Sequence, residues 1–215
     1  MVNSEEAKTV YNSRTKIYEK AMHSFRYASS LNSFILSLPF QLPSRAKILE
    51  LGCGTGITTG ALLQKFPNAE ITGVDYAEEM LMLCRKKFSK ITLLQGDFNQ
   101  SESFASFPEG KNITLTLASY DFIFSSGAVS EYGDLQKVLP LVNELLKEKG
   151  IFVNIGIQRN PIGFIMGKLW QFTAPGKNKF TAACQEADFS TIEEIKIPWK
   201  FFPTSAVKYC VLARK

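Results

Sequence analysis

The segment Ala46–Thr59, reading AKILELGCGTGITT, constrains the fold more than any other stretch of the chain. A short apolar run, Ile48–Leu51, carries one acid, Glu50, and then breaks into glycines at alternate positions, Gly52, Gly54 and Gly56. Helix-compatible residues follow. A buried parallel strand that turns tightly into a helix has this pattern. Glycine admits positive φ and lets a ligand approach the main chain closely. The turn therefore suits a bound nucleotide or nucleoside.

The rest of the chain agrees with an α/β domain. Its 215 residues are enough for one such domain with a substantial core. With 45% hydrophobic and 21% charged residues, it has the composition of an ordinary globular protein. The net charge of +5 is spread over Arg85–Lys90, Lys147–Lys149 and Lys177–Lys179, so a nucleic-acid surface is not called for. A peripheral contact with anionic membrane stays open. Cys53, Cys84, Cys184 and Cys210 form no CxxC pair, and His23 is the one histidine, which argues against a metal site and against a histidine-based triad elsewhere. Unpaired thiols, and an N-terminus without a cationic-then-apolar pattern, lead to the expectation of a reducing, cytoplasmic setting. No apolar run approaches the ~20 residues needed to span a bilayer.

Strand and helix signals alternate from Ala46 onward, which predicts a doubly wound, Rossmann-like, mostly parallel sheet of seven strands. The expected strands are Lys47–Leu51, Glu70–Asp75, Ile91–Gln95, Tyr120–Ser125, Gly150–Ile157, Glu193–Lys200 and Ala206–Ala213. The last two are joined by Phe201–Ser205, too short for a crossover helix, so they should close the sheet as an antiparallel hairpin. Helices are expected at Ala77–Phe88, with acids first and bases last, and at Asp134–Lys149, stopped by Gly150 and interrupted by Pro140. Ala7–Leu38 reads as helical, making residues 1–45 a cap on a main unit of residues 46–215. The Ser-rich stretch Asn99–Ser119 reads as an exposed irregular loop.

The strand ends carry the chemistry. Asp75 closes the second strand, nineteen residues after Gly56. A carboxylate there lies beside the turn and suits the vicinal hydroxyls of a ribose. Gln95-Gly96-Asp97-Phe98 closes the third strand, with Asp97 able to accept from an adenine amine and Phe98 able to pack on the ring. Small residues, Ser125-Ser126-Gly127-Ala128, close the fourth. A dinucleotide fingerprint would place its third glycine at Ile57, where none stands. Glu50 before the turn favours a cationic ligand over a pyrophosphate.

These residues resemble, in order, the motifs of class I S-adenosylmethionine-dependent methyltransferases: Glu50–Gly56, then Asp75, then Gly96-Asp97, then the Tyr120–Gly127 strand. The resemblance runs from Ala46 to the C-terminus and includes the reversed terminal hairpin. Val10-Tyr11-Asn12 and Ile17-Tyr18-Glu19 also resemble the quinone-biosynthesis and phospholipid N-methyltransferase branch. The resemblance implies a cofactor, S-adenosyl-L-methionine. Gly52, Cys53, Gly54 and Gly56 would line its methionine and ribose part, with the Glu50 region towards the amino group. Asp75 would hold the ribose, with Tyr76 and Met80 flanking the adenine and Asp97 and Phe98 contacting it. Ser125 and Gly127 would lie near the methionine end, and Tyr11 and Tyr18 would close the pocket.

Methyl transfer to a small organic acceptor is the function this implies. A non-catalytic cofactor-binding protein and an NAD-dependent oxidoreductase are the alternatives. Many relatives have Glu-His after the fourth strand; Glu131-Tyr132 stands here, so no histidine base acts at that place and no catalytic residue is assigned. Glu131 and Tyr132 are expected near the acceptor. Ile162, Ile165, Met166, Leu169 and Trp170 form one apolar helical stripe. Ordinary packing of a cover helix is the plainer expectation for it, and a lipophilic acceptor pocket with Met166 and Trp170 on its wall is the sharper one. The sequence leaves the identity of the acceptor and the oligomeric state open.

Overall fold

The computed structural model describes residues 20, 22–100 and 104–215. The turn-bearing strand β1 (Lys47–Leu51) lies at the centre of the sheet, paired in parallel with β2 (Glu70–Asp75) on one side and β6 (Tyr120–Ser126) on the other. Beyond β2 lies β3 (Thr92–Gln95), and beyond β6 lies β7 (Leu146–Ile157), both parallel to their neighbours. The terminal hairpin is β8 (Thr191–Glu194) and β9 (Lys208–Arg214), with β9 inserted antiparallel between β7 and β8. All seven expected strands are present.

Two further short strands extend the other edge. β4 (Phe104–Ser106) and β5 (Asn112–Ile113) pair antiparallel beside β3, giving the order β5-β4-β3-β2-β1-β6-β7-β9-β8. The expected irregular loop over Asn99–Ser119 is corrected here. Phe104 and Phe107 are buried, and that apolar anchor draws part of a polar stretch onto the sheet edge.

Helices cover both faces. α1 (Tyr27–Leu36), α2 (Ile57–Lys65) and α3 (Glu78–Lys87) pack on one face, around Leu31, Phe34, Leu62 and Leu81. On the other face lie a single turn, α4 (Val129–Tyr132), then α5 (Leu135–Leu145) and α7 (Lys177–Glu186). Between them in the chain, α6 (Pro161–Trp170) lies over the carboxyl end of the sheet, against Ile157, Phe172 and Val207. Asn160 caps α6 by accepting from Gly163 N–H at 2.9 Å, and Pro161 opens it. α8 (Thr204–Val207) is one turn leading into β9.

Several boundaries differ from expectation, among them the last strand, which begins at Lys208 rather than Ala206 because Thr204–Val207 form α8. The N-terminal helix is broken at Arg26, whose φ of 60° is left-handed, between a 3-10 turn (Ser24–Arg26) and α1. α5 stops at Leu145 and β7 starts at Leu146, with Lys147–Gly150 looped out of register against β6. The strand expected over Glu193–Lys200 ends at Glu194, and Trp199–Phe201 coil into a 3-10 turn. Tyr11 and Tyr18 lie outside the described residues. No helix among the described residues is long and apolar enough to cross a membrane.

Candidate active site

The strand order reverses between β1 and β6, and their carboxyl ends, Leu51-Gly52 and Ser126-Gly127, meet there. Open α/β sheets bind ligands in this crevice. Two cavities occupy it. One is a narrow cleft of about 50 Å³ walled by Gly54, Asp75, Tyr76, Met80, Phe98 and Tyr132. The other is a chamber of about 400 Å³ bounded by Cys53, Ile157, Met166, Trp170, Phe172 and Val207, among others. Gly52, Ser126 and Gly127 belong to both.

The three glycines of the turn have different reasons to be glycine. All take positive φ, at 74° for Gly52, 54° for Gly54 and 83° for Gly56. A Cβ on Gly52 would lie 2.2 Å from the Ala128 Cβ, and one on Gly56 would strike the Cys84 Sγ at 2.9 Å and the Phe88 ring at 2.7 Å. A Cβ on Gly54 would meet nothing within 4 Å. Gly52 and Gly56 are packing glycines, and Gly54 is the one whose missing side chain leaves open space for a ligand.

The turn is pinned to β2. Gly52 and Cys53 donate N–H bonds to the Val74 carbonyl at 2.8 and 3.0 Å. Asp75 accepts from Gly54 N–H at 2.8 Å and from Ala77 N–H at 2.9 Å. Burial pushes the Asp75 carboxyl up to about 6, against those backbone bonds, which favour its charged form. Cys53 lies over Gly73, where a Cβ would come within 2.9 Å of its sulfur.

Glu50 sits beneath the turn and borders neither cavity. Its two oxygens accept from the Thr58 and Thr59 hydroxyls at 2.5 and 2.6 Å, which ties β1 to the first turn of α2. Burial raises its carboxyl to about 7. Asp97 is half-buried and accepts from the Asn99 backbone N–H at 2.9 Å and side-chain amide at 2.8 Å, closing its own loop. Ser125 lies fully buried below the floor and accepts from Val129 N–H at 3.1 Å. Its neighbour Ser126 reaches both cavities. Strand alternation is the signal that separates the two serines.

Of the residues expected near an acceptor, Glu131, Met166 and Trp170 line the chamber, whereas Tyr132 borders the cleft. Glu131 is buried, accepting from Ile157 N–H at 2.6 Å and Ser130 Oγ at 2.7 Å. Tyr132 donates to the Trp170 carbonyl at 2.8 Å and meets the Phe172 ring edge-on at 5.7 Å. Neither stands poised as a proton acceptor. The stripe on α6 divides: Met166 and Trp170 are half-buried, while Ile162, Ile165 and Leu169 are 46%, 57% and 58% exposed. Simple core packing of a cover helix is corrected accordingly. Lys208, at the start of β9, is a wall residue that the sequence reading missed. Its signal is a lone lysine opening the otherwise apolar run Tyr209–Ala213.

Comparison with known proteins fits this geometry. A family model described as a methyltransferase domain matches residues 42–193. A malonyl-[acyl-carrier protein] O-methyltransferase of Priestia megaterium is 29% identical over 158 residues, covering 70% of this chain and 50% of that protein. The chain thus spans about half the length of this curated relative. Among solved structures, the phosphoethanolamine N-methyltransferase 2 of Haemonchus contortus, in complex with phosphomonomethylethanolamine and S-adenosylhomocysteine, superposes with a TM-score of 0.72 at 14% identity. That match covers 97% of this chain and 60% of that one. A S-adenosylmethionine-dependent methyltransferase from Thermotoga maritima covers 97% of this chain and 99% of its own, with a TM-score of 0.68 at 18% identity.

Proposed function

The chain belongs to the methyltransferase-domain family, and from that premise we propose that it moves a methyl group from S-adenosylmethionine to a small organic acceptor with an apolar body. One observation carries the reading: the cleft that holds Asp75 and the larger, mostly apolar chamber share the floor at Gly52, Ser126 and Gly127. A nucleoside half and an acceptor half would meet there.

In this reading the ribose hydroxyls donate to Asp75, the adenine lies between Met80 and Phe98, and the methionine part crosses Gly54, whose open face admits it. The bound cofactor supplies an activated methyl group with a neutral thioether as leaving group. The protein's own part is to align the acceptor and exclude water, which is worth roughly 7–11 kcal/mol of the barrier. In this reading Met166, Trp170 and Phe172 would cover the bound acceptor and keep water from it. The acceptor must bring a lone pair that needs no strong base, because Glu131 is committed to Ile157 N–H and Ser130.

Incubation with methyl-labelled cofactor and a cell extract tests the reading. Label is expected in a small, organic-extractable product. Label confined to macromolecules contradicts the small acceptor, and cofactor binding with no transfer to any fraction favours a non-catalytic binding protein.

A further inference from the structure

The chamber is mostly apolar, and its charged lining residues are Glu131 and Lys208. Lys208 is only 5% exposed, and its ammonium has one long hydrogen bond, to the Ile155 carbonyl at 3.4 Å. None of the ion pairs among the described residues includes it. An ammonium carries three donors, and burying them without acceptors is costly. Glu131 is the acid whose charge favours the ammonium, but the two make no ion pair, and the Glu131 oxygens are turned to Ile157 N–H and Ser130 Oγ. Burial itself pulls the Lys208 ammonium below its ordinary pKa.

Its placement is specific. A Cβ on Gly127 would lie 3.2 Å from the Lys208 Nζ, so the ammonium rests against the strand tip shared by cleft and chamber. Ile157, Met166, Trp170 and Val207 line the chamber it borders. A ligand that satisfied this wall would present one anionic group to the lysine and hydrocarbon to the rest. With the Glu131 carboxylate already offsetting this cation, a singly charged anion leaves one net negative charge at the site and a dianionic phosphate leaves two, which favours the single charge.

We propose that Lys208 is the specificity-determining residue of the acceptor chamber, and that the acceptor carries a carboxylate, held by the Lys208 ammonium, on an otherwise apolar body. This rests on the reading of the chamber as the acceptor half of the site. The carboxylate of the cofactor's own methionine part is the other source of the same chemistry. Lys208 does not border the cleft that holds Asp75, which favours the acceptor.

The test is calorimetric titration of octanoate and of octan-1-ol, a neutral ligand of equal chain length, with and without saturating S-adenosylhomocysteine. The wild type is expected to bind octanoate at least about tenfold more tightly than the alcohol, the scale of one charge-assisted bond. Lys208→Met should abolish that preference while S-adenosylhomocysteine affinity stays within about twofold. Lys208→Arg should keep the preference. Equal binding of the two ligands by the wild type overturns the proposal, as does a preference that survives in Lys208→Met. Loss of S-adenosylhomocysteine affinity in Lys208→Met, with the octanoate preference intact, assigns the ammonium to the cofactor and also overturns it. A wild type that binds no S-adenosylhomocysteine contradicts the functional reading instead, and the titration without it still decides the role of Lys208. Should Lys208→Met not fold, the wild-type comparison decides: a preference for octanoate that Lys208→Arg retains supports the proposal, and equal binding of the two ligands overturns it.

Discussion

The two halves of the site are built on opposite principles. Around the cleft, polar groups are tied to one another and to the backbone: Asp75 to Gly54 and Ala77, Glu50 to Thr58 and Thr59, Asp97 to Asn99. Around the chamber, apolar side chains stand in solvent. Phe164 is 65% exposed, Trp199 is 72% and Phe202 is 56%. The first half is rigid because its hydrogen bonds run to strand ends. The second rests on α6, which packs on a small apolar cluster, and on the turns before β9, which are tied to α1 by Phe201 against Phe34 and by Thr204 to Ser30. Substitutions in the first half should therefore cost stability and cofactor binding together, and substitutions of the exposed α6 side chains should leave stability nearly untouched.

The largest effect expected is at Gly52. Alanine there combines a left-handed residue with a clash against Ala128, and urea denaturation should show a loss of about 2–5 kcal/mol. Gly54→Ala has no clash and should lose only ~1–2 kcal/mol. Its cofactor affinity should fall more than its stability, because the added methyl enters the ligand's path. Equal stability losses at the two glycines would break the distinction between packing and ligand-facing positions.

Thr59→Val keeps the shape of the side chain and removes a donor to the buried Glu50 carboxylate. Unfolding should become easier by about 1.5–3 kcal/mol. The pH response sharpens the same half. Asp75 and Glu50 hold their protons to about 6 and about 7, above the ordinary carboxylate range. The folded state therefore binds more protons than the unfolded chain between the ordinary range and these values, so these two groups favour folding less as pH rises through that window. The proposed ribose contact gives cofactor binding the opposite sign, because hydroxyls would donate to the charged carboxylate. Affinity for S-adenosylhomocysteine should rise about tenfold from pH 5 to pH 7 and then level off, and Asp75→Asn should flatten that rise. On the chamber side, Phe164→Ala should change stability by no more than about 0.5 kcal/mol. A larger loss would show that α6 belongs to the core after all.

The same contrast explains what the sequence made legible. β1 and β2 occur with the bounds expected, because an apolar run bounded by turn residues leaves little choice of limits. The order of motifs at the strand tips was readable for the same reason. Hidden from the sequence was how each polar group is spent. Glu50 before a glycine turn looks available to a cation, yet each of its oxygens is turned to a threonine hydroxyl in the first turn of α2. Ser125 and Ser126 look equivalent until strand alternation puts one below the floor and the other on it. β4 and β5 escaped because their polar surroundings mask the buried Phe104 and Phe107. Lys208 escaped because a lysine at a strand start ordinarily points to water. Here its ammonium is buried against the strand tip at Gly127.

The account rests on Asp75 as the ribose acceptor at the end of β2. Calorimetric titration of S-adenosylhomocysteine into the wild type and into Asp75→Ala tests this most directly. The wild type should bind, and the variant should bind about 10–100-fold more weakly, the loss of one or two charge-assisted bonds. No binding by the wild type, or equal binding by a folded Asp75→Ala variant, would contradict it.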